Sequence, residues 1–196
     1  MRTGCLLVLV AALSAACSPS AKGDVDPACF NRSSEQIGGP FKLTAHTGAT
    51  VTQEDFKGRK TLVFFGFTHC PDVCPDTLFR TGTAMSLLPK GVKPPRTVLI
   101  SVDPARDTPE TLSQYIRSNG FPADIVGLTG TLEELQQVAD EFAAPFSRDE
   151  EAEGTSGYIV NHSAILYLMD ENWKLESFFQ PGARPAEIAS CIAALS

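Results

Sequence analysis

The sequence predicts an α/β domain built on a mixed sheet with parallel strands at its centre. Three observations predict it. Apolar runs of strand length alternate with amphipathic helical stretches from residue 61 to about residue 145. Two of the runs, "TLVFFGF" (61–67) and "RTVLISVD" (96–103), are continuously apolar or small, as in strands buried on both faces. The order then closes with two strands and a helix, which adds antiparallel edges.

The elements follow in order. "FKLTAHTGATV" reads as a hairpin: a short strand over 41–44, a turn at Thr47-Gly48 and a second strand near Val51. His46 lies in that turn and reads as an exposed loop histidine. After the strand at 61–67 comes a helix over 75–89, with Leu78, Met85 and Leu88 near one stripe and Pro89 as its stop. The strand at 96–103 leads to a helix over 107–120. Asp107 or Thr108 caps it, Pro109 suits its first turn and Gly120 ends it. A short strand spans 125–128. The helix at 131–145 opens on a Thr131–Glu134 capping box and carries Leu132, Leu135, Val138, Ala139 and Phe142 on its apolar face. An acidic, glycine-containing loop spans 147–158. Strands at 163–170 and 174–179 turn at Asp170-Glu171-Asn172, and "RPAEIASCIAAL" is the closing helix. A thioredoxin-like architecture fits this order: a central mixed sheet flanked by helices, with an N-terminal hairpin. No internal repeat or second domain is visible.

The chain of 196 residues is long enough for one domain with a real core. Its net charge of −7 and lack of a basic patch argue against nucleic acid as a partner. Residues 1–17 read as an export signal: Arg2, then the apolar run "CLLVLVAALSAAC". Its end, "LSAAC", resembles a lipobox, in which Cys17 would carry a lipid. Ordinary cleavage nearby is the rival reading. Either way the domain is expected outside the cytoplasm, on the periplasmic or cell-envelope side. Residues 18–36, rich in Ser, Pro, Ala and Asp, read as a flexible tether, and 37–196 as the folded domain. Of six cysteines, Cys5 and Cys17 fall in the leader. Cys29 and Cys191, near opposite ends of the domain, are either bridged or separately buried; spacing does not decide between them.

The chemistry lies at "THCPDVCPD" (68–76). Pro71 suits a helix's first turn, which puts Cys70 at the helix start and Cys74 one turn on, with Cα atoms roughly 6 Å apart. A helix N-terminus favours thiolate, so both sulfurs are expected to be acidified, with Asp72 and Asp76 opposing. Three residues separate the cysteines, one more than in thioredoxin-type reductases, and Thr68 is one place off the threonine of peroxidases of this architecture. Two soft thiolates also suit Cu(I) or Zn(II). A third donor must come from elsewhere. His69 is adjacent but expected to point away; His162, placed by this architecture opposite the first helix, can reach the cysteines. A disulfide switch, a metal clamp and a plain turn with two inert thiols all remain open on these residues alone, as does a structural role for His162. Asp103, at a strand end, and Arg106 read as turn and ion-pair chemistry, and the acidic run Asp149–Glu153 as a solvated loop.

Four segments, "FGFTHCPDVCPDTL" (65–78), "SVDPARDTPETL" (101–112), "GLTGT" (127–131) and "YIVNHSAILYLMD" (158–170), resemble the Sco/SenC family of copper-binding, thioredoxin-like proteins. The resemblance runs from about Gly38 to Ala194. It implies a copper site made of Cys70, Cys74 and His162, for Cu(I) and also for Cu(II), and a role as a chaperone assisting assembly of the binuclear copper centre of cytochrome c oxidase. The implied partner is the subunit carrying that centre, or another copper or thiol-exchange protein. Some family members reduce partner cysteines, so a thiol–disulfide oxidoreductase with Cys70 and Cys74 as its redox pair is the alternative, and a redox or copper sensor a third. Asn161 stands where the family usually has aspartate, which removes one negative charge beside the histidine.

Overall fold

A computed structural model of the chain describes residue 29, residues 36–150 and residues 157–196, with only the backbone of Glu150. The leader at 1–17 and nearly all of the expected tether lie outside the described residues. Strands β1 (Lys42–Ala45) and β2 (Thr50–Thr52) form the expected hairpin, followed by a 3-10 turn over Gln53–Phe56. The remaining elements are β3 (Thr61–Gly66), α1 (Val73–Ser86), β4 (Arg96–Ser101), α2 (Pro109–Tyr115), β5 (Ile125–Thr129), α3 (Leu132–Glu141), β6 (Phe146–Glu150), β7 (Tyr158–His162), β8 (Leu166–Met169), β9 (Leu175–Phe179) and α4 (Pro185–Ala194). Seven strands form one sheet in the order β2-β1-β5-β4-β3-β8-β9. β3 runs parallel to β4 and β4 to β5, while β8 and β9 add antiparallel edges, as the element order requires.

The continuous apolar run became the central strand. All six residues of β3 are buried, between β4 and β8. Phe65, Phe142 and Tyr167 meet edge to face at 5.3 to 6.3 Å, and Phe41, Phe56 and Trp173 form a second aromatic group. α1 packs on α4. Cys29, which falls within the expected tether, is buried and disulfide-bonded to Cys191 of α4, 162 positions away.

Several expectations are corrected. The stretch expected as a loop over 147–158 supplies most of β6 and the first residue of β7, which pair with each other in a separate two-stranded sheet. Alternation in "FSRDE" and "YIVNH" is weak because, of this hairpin's apolar residues, only Phe146, Tyr158 and the buried Val160 meet the core, so the pattern carried little signal. His162 closes β7, and the following strand, expected over 163–170, spans only Leu166–Met169. α1 starts at Val73 after the N-cap Asp72, so Cys70 precedes the helix. α2 stops at Tyr115 and α3 at Glu141, both short of the expected ends. Leu132 is 52% exposed, because as the first helical residue after the Thr131 cap it sits beyond the rim of the core.

Candidate metal centre

At the C-terminal end of β3 the chain leaves the sheet through Gly66 and Phe67 and turns into α1. The turn is closed by the Cys70 N–H donating to the Phe67 carbonyl at 3.3 Å. Cys74 then sits in the first turn of α1, fully buried, with its sulfur against Gly66. A Cβ at position 66 would lie 3.0 Å from that sulfur and 2.8 Å from the Phe64 ring, so glycine is what lets the strand and the thiol approach. Cys70 lies one turn outward and is only half-buried.

The third residue arrives from the hairpin. His162, at the end of β7, places Nε2 3.4 Å from the Cys74 sulfur, 88 positions away in sequence. Its Nδ1 is 3.0 Å from the Ser163 carbonyl, which can only accept; Nδ1 therefore holds the ring proton and leaves the Nε2 lone pair facing the sulfurs. The rings of Phe64 and Phe67 meet the imidazole edge-on at 6.1 and 5.6 Å and fix its plane. The two sulfurs and a histidine nitrogen lie within 4.8 Å of one another, the only such cluster of donors found among the described residues. This soft donor set, two thiols and a bare imidazole nitrogen, suits a thiophilic ion.

The two thiols differ. Cys70 is lowered from the ordinary thiol value to about 5, first because the Cys74 thiol hydrogen-bonds to it; burial opposes, and backbone N–H groups of Cys74 and Asp72 help. The Cys74 N–H donates to the Cys70 sulfur at 3.4 Å. Cys74 is pushed up, first because its proton is held toward Cys70 and second by burial. The expectation that both thiols are acidified thus holds for Cys70 alone. The physical reason is that one proton is shared by two adjacent sulfurs, and the buried one keeps it.

A clasp, missed in the sequence, seats the hairpin. The Tyr158 hydroxyl of β7 donates to the Asp103 carboxylate, and Arg106 pairs with the other oxygen of Asp103. The guanidinium of Arg106 also lies 4.0 Å from the Tyr158 ring centroid, with that of Arg148 at 3.6 Å. Asp103 was legible as a strand-end residue, but its partner Tyr158 lay in a segment read as loop. Asp107 does not cap α2, a role taken by Thr108. It is fully buried and accepts from the Thr68 N–H, the Thr68 hydroxyl and the Ser101 hydroxyl, which ties α2 to the turn that carries Cys70. Asn161 points outward and donates to Asp149 at 2.6 Å. His46 is half-buried, with Nδ1 accepting from the Gly127 N–H at 3.2 Å. His69 is exposed at the mouth of the cleft, outside the donor cluster. Trp173 belongs to the core, 4% exposed.

Comparisons with known proteins converge. The family model described as SCO1/SenC matches residues 31–196. The human protein named "Protein SCO1 homolog, mitochondrial" is 40% identical over 162 residues, which is 80% of this chain but 52% of that protein. The chain therefore spans about half the length of that curated relative. Among solved structures, Arabidopsis thaliana ScoI with copper bound superposes with a TM-score of 0.74 at 34% identity, covering 81% of this chain and 96% of that one. Bradyrhizobium japonicum ScoI with copper bound gives 0.70 at 37%, covering 81% and 98%.

Proposed function

The chain belongs to the SCO1/SenC family, and on that premise we propose that it is a copper chaperone carrying one copper ion on Cys70, Cys74 and His162. The carrying observation is the convergence of two sulfurs and the Nε2 of His162 within 4.8 Å. Copper(I) is the cargo that fits best: it is soft, accepts a two-sulfur, one-nitrogen set, and needs no further donor. The half-exposed Cys70 faces the cleft and the solvent, so cargo is reachable from one side only. Copper(II) is a second cargo, with an oxygen donor added from solvent. The acceptor we infer is the subunit holding the binuclear copper centre of cytochrome c oxidase. The chain would act from the outer face of a membrane, exported by residues 1–17, anchored by a lipid on Cys17 and set off from the membrane by the segment up to residue 36. No helix among the described residues is long and apolar enough to cross a membrane.

A second reading is supported by the lowered Cys70 thiol. Its thiolate can attack a partner disulfide; the mixed disulfide is then resolved by Cys74, which releases the partner as a dithiol and leaves a Cys70–Cys74 disulfide here. Copper loading and that disulfide exclude each other, because both use the same sulfurs. Anaerobic copper(I) titration of the full chain, reduced at Cys70 and Cys74, with X-ray absorption to count neighbours, tests the first reading. One ion with two sulfurs and one nitrogen is expected. Undiminished affinity in His162→Ala would overturn the assignment, and reductase activity surviving in that variant would favour the second reading.

A further inference from the structure

We propose that His69 is a handover donor: its Nε2, kept bare at the mouth of the cleft, binds copper(I) transiently as cargo passes between the buried site and an acceptor. This rests on the copper reading above and extends it to a residue outside the resting site.

Three observations carry it. His69 is exposed and lines the same cleft, of about 480 Å³, as Cys70 and His162, so an acceptor entering that cleft meets it. It lies outside the cluster of donors within 4.8 Å, and so is not part of the resting set. Its ring is fixed by a directed chain of hydrogen bonds. The Thr68 hydroxyl has one proton and gives it to the Asp107 carboxylate at 2.6 Å, while the Thr68 N–H donates to both carboxylate oxygens at 3.2 Å. Toward His69 Nδ1, 3.0 Å away, that hydroxyl can then only accept. The neutral imidazole therefore carries its proton on Nδ1 and leaves Nε2 with a free lone pair.

Asp107 is fully buried and held also by the Ser101 hydroxyl at 2.7 Å, so the chain is anchored in the core, not in solvent. A different partner, the Ser163 carbonyl, sets the same tautomer in His162. Two imidazoles thus offer the same nitrogen, one inside the cleft and one at its lip. The step is ligand exchange. A bond from copper(I) to His69 Nε2 forms as a bond to one of the inner donors breaks. No electron moves, and His69 loses no proton, because Nε2 carries none.

The test loads the reduced full chain with one equivalent of copper(I) under anaerobic conditions. Extraction by bathocuproine disulfonate is followed by stopped-flow absorbance, alongside equilibrium affinity by competition with the same chelator. In His69→Ala the extraction rate should fall about tenfold, the lower end of what loss of a supporting group costs a metal site, while affinity falls far less. Free imidazole should restore the rate. Thr68→Val, which frees Nδ1, should slow extraction to a smaller degree. Nitrogen-15 spectra of the metal-free chain should show His69 protonated at Nδ1. An unchanged rate in His69→Ala, a rate and affinity that fall together, or an Nε2-protonated ring would each overturn the proposal while leaving the chaperone reading standing. Failure of the unsubstituted chain to take up copper(I) would overturn both.

Discussion

The hydroxyl of Tyr158 donates to the carboxylate of Asp103, joining a hairpin that stands outside the main sheet to the C-terminal end of a central strand. The hydrogen bond matters because β7 carries His162 only four residues further on. Asp103 is 3% exposed, so its charge depends on Tyr158 and Arg106 for compensation.

Tyr158→Phe keeps the ring between the guanidinium groups but removes the donor. The variant should lose about 1–3 kcal/mol of stability by urea unfolding, the cost of leaving a buried acceptor short of a partner. Copper(I) affinity should fall about tenfold, because the hairpin is less firmly seated. No change in either quantity would mean that the clasp does not position the site.

The thiol pair should alkylate asymmetrically. Cys70, lowered to about 5, is a thiolate at neutral pH, whereas Cys74 is raised and buried. Iodoacetamide should modify Cys70 first, at a rate that is flat near neutral pH and drops as the pH falls through about 5. Peptide mapping of the singly modified chain identifies the site. First modification at Cys74 would contradict the assignment.

Asp107 tests the buried anchor. Burial raises its carboxyl above the usual range despite the donors around it. A raised folded pKa means that the stability linked to its protonated form is fully present below the unfolded value of about 4, and is lost as the pH rises through the folded value. Asp107→Asn should remove that pH dependence. It should also destabilise the fold by about 1–3 kcal/mol, since an amide nitrogen then faces the donors on Thr68 and Ser101. Urea unfolding from about pH 4 to pH 7 measures both.

Gly66→Ala should act through contact alone. The added methyl meets the Cys74 sulfur and the Phe64 ring, both fully buried. A loss of about 1–3 kcal/mol is expected from overpacking, with weaker copper(I) binding as the sulfur shifts. Wild-type stability in this variant would show that the approach is looser than 3.0 Å.

The Cys29–Cys191 bridge closes almost the whole domain into one loop. Replacing both cysteines by alanine should cost about 2–5 kcal/mol in chemical denaturation, with copper(I) uptake retained, because both sulfurs lie against Ser177 of β9 and neither belongs to the donor cluster. Loss of uptake in a folded double variant would instead tie the bridge to the site.

The sequence by itself determined the order of the main-sheet strands and helices, the burial of β3 and β4, and the cysteine pair, because these are local patterns: continuous apolar runs, a proline after each cysteine, a capping box at Thr131. The four matched segments extended that to the family and to His162. Tertiary structure alone decided which thiol keeps the proton, that Cys29 meets Cys191, and that residues 146–150 and 158–162 pair. It also made Asp107 an anchor for Thr68 and not a helix cap. Each of these depends on partners brought together across tens of residues, where energy comes from burial and hydrogen-bond geometry that no short-range pattern encodes.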